Sequence, residues 1–226
     1  MDDIYYMKKF TCPVCENVFS STKIKSSKLI PLKTDTDMCT YYKGLNPYFY
    51  EINVCPKCGF AFSDHFKHEL RVNDKSSFLK IFSSRWKKQD LCGIRTFDQA
   101  VDAFEIAILS GQIVNLNPGK MAVICLRLSW IYRMQNKKDD ERRFMKSAVD
   151  LLEKAYEVGG IDDDEDISPE ILVYLLGELN FRLRNRNETV KWFNIAISRY
   201  SKDPSVKKRI SNMISDRWLE IKDNFK

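Results

Sequence analysis

The sequence predicts an α+β fold. Short strands gather around a four-thiolate metal site in residues 1–92, and residues 93–226 form an all-α helical array. Three observations predict it. Cys12-Pro13-Val14-Cys15 and Cys55-Pro56-Lys57-Cys58 are a doubled Cys-Pro-x-Cys. From Thr96 onward the apolar residues recur with a period of about 3.6. Three N-cap–proline pairs in that half, Asn117-Pro118, Ser168-Pro169 and Asp203-Pro204, read as helix starts.

Each Cys-x-x-Cys puts two thiols on one tight turn, and proline at the second position stiffens it. Together Cys12, Cys15, Cys55 and Cys58 supply the tetrahedral sulfur set that Zn²⁺ prefers, and iron fits the same ligands. Gly59 suits a positive φ that would turn backbone N–H groups toward sulfur. A site with four protein ligands keeps no open position, so the expected metal is structural. A thioredoxin-like redox role would need a βαβ context that is not visible.

The first pair is delivered by an expected strand at residues 4–11, and β-formers follow at 17–24. Lys23, Lys25 and Lys28 then read as a basic or protective sheet edge. The 39 residues between the pairs must fold back, and they hold five aromatics within residues 41–50. Tyr41, Tyr42 and Tyr48 are thus candidates either for packing a core-poor metal domain or for recognition of peptide or bases. Asp35 and Asp37 read as turn caps rather than as an acid–base pair. Residues 48–54 alternate as a strand. His65 and His68, the only histidines, read as a surface pair. Residues 77–89 suggest a helix whose end carries the basic–aromatic group Trp86, Lys87 and Lys88, where cations suit the helix dipole.

Six helices are expected in the second half, at 97–110, 118–135, 141–158, 169–185, 188–200 and 204–222. Asn187 is a candidate cap for the fifth, and Asp162–Asp166 reads as a solvated acidic linker. Ala100, Phe104 and Ala107 recur as Thr189, Phe193 and Ala196, and Leu176-Gly177 precedes the second set at the tetratricopeptide spacing. Tyr174, Arg182, Arg184 and Arg186 are candidates for an open binding face of such an array.

Composition narrows the function. Net charge is +6; residues 1–92 hold 15 Lys/Arg against 10 Asp/Glu, and residues 93–226 hold 22 against 21. Four metal-bound thiolates offset part of the N-terminal excess, so charge alone does not imply nucleic acid. Seven cysteines with no disulfide framework, and no apolar run long enough to span a bilayer, lead us to expect a cytoplasmic protein without a membrane segment.

The first Cys-Pro-Val-Cys, Asp35-Thr36-Asp37, Tyr42-Lys43-Gly44-Leu45-Asn46-Pro47, Tyr50, the run Val54 to Ala61 and the closing Arg217-Trp218 together resemble the bacterial DUF2225 family. Cys39 and Phe60 depart from its commoner residues without touching the ligands. The resemblance implies a zinc-ribbon-like N-terminal domain followed by a tetratricopeptide-like tail, and it implies no activity. The expected function is that of a non-enzymatic, zinc-stabilised adaptor for a protein or peptide partner. The alternative is a nucleic-acid-associated protein using the basic N-terminal domain.

Overall fold

A computed structural model describes residues 3–66, 70–158 and 167–225. His68 and the acidic run at 162–166 fall outside these. The architecture is α+β as expected: small sheets at the N-terminal end and helices packed pairwise after them.

Strands β1 (Tyr5–Thr11) and β2 (Val18–Ile24) form an antiparallel hairpin with Phe10 opposite Phe19. A second hairpin, β3 (Pro31–Thr34) and β4 (Thr40–Tyr42), carries Asp35–Cys39 at its tip and was not expected from the sequence. Strands β5 (Ile52–Val54) and β6 (Ala61–Ser63) flank the second cysteine pair. The strand expected at 48–54 is therefore half as long. Pro47–Tyr50 instead form a 3₁₀ turn, because Pro47 fixes φ and the Asn46 side chain accepts from Tyr48 N.

Helix α1 (Val72–Ile81) lies earlier than the expected 77–89. A 3₁₀ turn at Ser83–Arg85 follows it, and Trp86 is extended. The six later helices are α2 (Phe97–Ile113), α3 (Pro118–Met134), α4 (Lys138–Glu157), α5 (Pro169–Arg182), α6 (Arg186–Tyr200) and α7 (Lys208–Ile221). Thr96 and Gln99 form a capping box on α2. Asn117 caps α3 by accepting from Gly119 N at 2.7 Å. Three expected starts move. Helix α4 begins at Lys138 rather than 141, with Asp139, Asp140 and Glu141 in its first turn. Asp203 takes Ser205 N and Oγ into a local turn, so α7 begins four residues after Pro204. Asn187 lies inside α6, whose N-cap is Asn185.

One buried core runs through the helices and also takes in Cys39, Tyr48, Ile52, Val54, Ala61 and Leu91 from the N-terminal half. A second, aromatic core surrounds the cysteines with Phe10, Phe19, Phe60, Phe62 and Phe78. Buried Arg95 ties the two halves together. Its guanidinium donates to the carbonyls of Leu91, Phe49 and Ile52 at 2.6–2.8 Å.

The tetratricopeptide-like signature has a direct physical basis at Gly177. A Cβ there would lie 2.7 Å from the ring of Phe193 on α6. That ring is itself stacked on Trp218 and edge-on to Tyr174, so it has nowhere to retreat. Gly177→Ala is expected to cost about 1–3 kcal/mol, the range for overpacking, and to lower Tm by roughly 2–12 °C. Thermal denaturation checks this, and an unchanged Tm would contradict the packing argument.

Candidate metal centre and an occupied helical face

The two cysteine turns have the same construction. Cys12 N donates to Asn17 O (3.0 Å) and Glu16 N to Cys12 O (3.0 Å), with Glu16 at φ 59°. Cys55 N donates to Phe60 O (2.9 Å) and Gly59 N to Cys55 O (2.8 Å), with Gly59 at φ 77°. Gly59 thus serves the turn by bonding a carbonyl, not a sulfur. The amides aimed at sulfur are those of Val14 and Cys15 toward Cys12, Lys57 and Cys58 toward Cys55, and Phe60 toward Cys58. A side chain at Gly59 would also collide with Trp86. The indole ring lies 2.5 Å from where a Cβ would stand, and its Nε1 donates to Pro56 O at 3.3 Å.

All four sulfurs lie within 4.8 Å of one another, with Cys12 to Cys58 at 3.6 Å and Cys15 to Cys55 at 3.7 Å. Four sulfurs at about 2.3 Å from a tetrahedral ion would sit about 3.8 Å apart, so these residues fit one metal ion. Cys12, Cys55 and Cys58 are buried and Cys15 is half-buried. The crowding governs their protons. The Cys55 sulfur, helped by burial, pushes the Cys12 thiol up to about 12, Cys12 and Cys55 push the Cys58 thiol up as well, and hydrogen bonds from Cys12 and Cys58 draw Cys55 down to about 2. Adjacent thiolates repel, and a bound cation is what lets all four ionise together. Among the described residues this is the one group able to hold a metal. His65 lies apart from it, at an exposed turn beside Ser63.

A second constellation lies on the face made by the alternate helices α3, α5 and α7. The tip of the β3–β4 hairpin is docked there. Asp37 is fully buried and receives Arg133 Nη1 (3.0 Å) and Trp130 Nε1 (3.0 Å), and it lies 3.5 Å from Arg182 Nη2. Asp35 accepts from Arg133 (3.2 Å) and Tyr41 (3.0 Å). The Thr36 hydroxyl donates to Glu178 and accepts from Arg182 Nη2 (2.9 Å), and Tyr174 Oη donates to the Thr36 carbonyl at 2.7 Å. Buried Glu178 is held in turn by Arg182 (2.8 Å) and Arg217 (2.6 Å), and Arg133 also bonds Glu141 (2.7 Å). Burial alone would lower the pKa of Arg133, but Asp37 and Glu141 outweigh it and raise it.

Several candidate binding residues therefore lie elsewhere than on an open surface. Tyr174 and Arg182 are covered by the chain's own hairpin. Tyr48 is core, edge-on to Trp130 with its Oη bonded to Thr40 N and O. Trp86 caps the second cysteine turn, leaving Lys87 and Lys88 exposed beside it. Lys23 is buried against Asp64 (2.8 Å) and Tyr50 O (2.7 Å), while Lys25 and Lys28 pair with Asp3. The basic edge is thus largely neutralised. Asp35 and Asp37 are ion-pair partners rather than simple turn caps, although Cys39 N does approach Asp37 (3.5 Å). Tyr41 and Tyr42 line a cleft of about 460 Å³ with Tyr5, Phe49 and Tyr50. Arg184 and Arg186 are exposed at the α5–α6 turn, where Arg184 takes φ 65°.

Sequence reasoning missed Arg133, Glu178 and Trp130. A signal existed in Glu178, a charged residue inside the apolar run Leu175–Leu179. A carboxylate there needs partners: Arg182 lies one turn on, while Arg217 and Thr36 lie far away in sequence.

The family model described as "Uncharacterized protein conserved in bacteria" (DUF2225) matches residues 5–221. A protein of Borreliella burgdorferi, described as "Uncharacterized protein", is 28% identical over 159 residues, covering 62% of this chain and 57% of the relative. The match thus spans little more than half the length of that relative. No solved structure matches. Among the described residues no helix is long and apolar enough to cross a membrane.

Proposed function

The chain belongs to the DUF2225 family, and on that footing we propose that it is a non-enzymatic binding or adaptor protein for a protein or peptide partner, stapled by a structural Zn²⁺. One observation carries the reading. The alternate-helix face already holds an acidic turn, Asp35–Asp37, through side chains of α3 and α5. Helical arrays present such faces to peptide ligands, and here the recognition chemistry is displayed on the chain itself.

Four sulfur ligands leave the metal no open position, which favours a structural ion. Zinc is favoured over iron because a redox-inert ion suits a staple. Asp35 and Asp37 are committed to arginine, which argues against acid–base work. A cytoplasmic location belongs to the same proposal and follows from the reduced thiols a Cys₄ site needs. A nucleic-acid partner has less support, since Lys23, Lys25 and Lys28 are already paired with carboxylates.

Affinity capture of the native chain from cell extract, with and without nuclease, tests the reading. Partners that persist after nuclease are expected. Their loss on nuclease treatment would overturn the protein-adaptor role in favour of nucleic acid. Metal analysis of the purified chain should return one zinc per molecule.

A further inference from the structure

We propose that the cleft beside Tyr42 is a binding site for an aromatic carboxylate, whose ring lies among Tyr5, Tyr42 and Phe49 and whose carboxylate turns toward Arg95. This goes beyond the adaptor reading and stands whether or not a protein partner is captured.

The cleft, about 460 Å³, has the size that small ligands occupy, and it lies where the two halves of the chain meet. Its walls come from the start of β1, the loop after β4, the 3₁₀ turn at Pro47–Tyr50 and the end of α3. Tyr42, Gly44, Leu45, Asn46 and Tyr50 in these walls belong to the stretches that carry the family resemblance. Neither the metal centre nor the docked hairpin tip uses their side chains. Tyr5 and Tyr50 pack ring to ring with centroids 5.7 Å apart. Tyr42 is half-buried, and its hydroxyl makes no hydrogen bond among the described residues. Gly44, at φ 67°, has open space where a Cβ would stand. Aromatic walls of this kind suit a flat apolar ring, which stacks on them offset or edge-on.

Charge decides the other end of the ligand. No Asp, Glu or Lys lines the cleft, and its one charged group is Arg95. That residue is 6% exposed and pairs with no carboxylate among the described residues. Its guanidinium reaches main-chain carbonyls through Nε, both N–H groups of Nη1 and one of Nη2, and the second N–H of Nη2 has no acceptor among the described residues. Asp90 acts on it at longer range, and that carboxylate accepts from Cys92 N at 2.8 Å. Burial therefore draws the Arg95 pKa down to about 10, whereas Arg133, buried among carboxylates, is raised. A ligand that fills the cleft strips the remaining water from Arg95. A neutral ligand would leave that buried charge unpaired, and a carboxylate supplies the missing partner. Lys43, exposed and in no ion pair among the described residues, sits between the lining residues Tyr42 and Gly44 and adds positive field beside them.

The test titrates the full-length chain with N-acetyl-phenylalanine and follows ¹H–¹⁵N spectra. Binding should shift the amides of residues 42–46 and of Arg95. N-acetyl-phenylalaninamide, which lacks the charge, should bind about tenfold or more weakly, because hydrogen bonds to charged groups are the stronger kind. N-acetyl-alanine, which keeps the carboxylate and lacks the ring, should also bind about tenfold or more weakly. Arg95→Met, the obvious variant, would also untie the two halves, so a variant at the rim decides. Ile94 is 64% exposed and adjoins Arg95 in the chain. Ile94→Glu should weaken binding of N-acetyl-phenylalanine by about threefold or more and leave that of its amide unchanged. Equal affinity for the acid and the amide, or indifference to Ile94→Glu, would overturn the proposal. A Gly-Ser-Gly-Phe peptide with a free C-terminus gives the source of the ligand. Binding about tenfold tighter than that of N-acetyl-phenylalanine assigns the cleft to chain ends, and equal or weaker binding assigns it to a free aromatic carboxylate. If neither probe binds, the proposal falls.

Discussion

Stripping the metal, by chelation or by replacing Cys12, Cys15, Cys55 and Cys58 with serine, is expected to unfold the region around β1, β2 and the two cysteine turns while α3–α6 keep their structure. A structural zinc site contributes about 10–16 kcal/mol in small domains, whereas whole proteins are stable by about 5–15 kcal/mol. The aromatic core behind the cysteines draws mainly on residues 10–92 and reaches the helical half through Ile113, Val114 and Leu116. It has little to lean on once four crowded thiols must share protons in place of a cation. The helices retain their own continuous core. Amide exchange should therefore rise at Tyr5–Ile24 and Cys55–Phe60 and hold within α3–α6. The number of thiols reacting quickly should rise by about four on chelation, from the ligands freed. A metal-free chain with native exchange throughout would refute the structural role of the site.

Arg133→Met is expected to be the most damaging single substitution away from the cysteines. It leaves Asp37 fully buried, with Trp130 Nε1 and 3.5 Å contacts to Arg182 and Cys39 N as its remaining support. An unpaired buried charge costs about 3–5 kcal/mol, which for a chain of this size lowers Tm by roughly 6–20 °C. Removing both charges should be milder than removing one. The double variant Arg133→Met with Asp37→Leu is expected to melt above Arg133→Met alone, because no carboxylate is then stranded. Thermal melts of the three proteins decide it. If the double variant were the least stable, the loss would come from packing and not from the buried charge.

Much of the chain could be read in advance wherever the signal was local. The cysteine pairs, β1, β2 and the starts of α2, α3 and α5 each announce themselves within a few residues, through spacing, strand-forming runs or a cap followed by proline. Gly177 was visible for the same reason, being one term of a short pattern completed by Phe193. The misreadings arose where a local signal was outweighed by distant partners. Asp35-Thr36-Asp37 has the composition of a turn, and it does make one. Its main role comes from Arg133, Tyr174 and Arg182, about a hundred residues or more downstream. Tyr174 and Arg182 have the amphipathic character of a binding face, and they are on such a face, but the occupant is encoded elsewhere in the chain. The basic stretch at Lys23–Lys28 read as a charged edge because Asp3 and Asp64, which neutralise it, are not its neighbours in sequence.

The distance between the hairpin tip and its clamps also orders events during synthesis. Thr36 meets Arg182 across 146 positions, and ribosomes add about 5–20 residues per second. The tip therefore emerges roughly 7–30 s before Arg182 is made. All four cysteines precede residue 59, so the metal can be loaded during that interval, before the helical face exists. On the nascent chain the zinc staple would fold first, while the acidic tip, whose anchors Cys39 and Tyr48 belong to the helical core, would settle only as the helices appear. The last of these arginines, Arg217, arrives with the final helix, so a chain that stops short of α7 would be left with buried Glu178 facing Arg182 as its one cation.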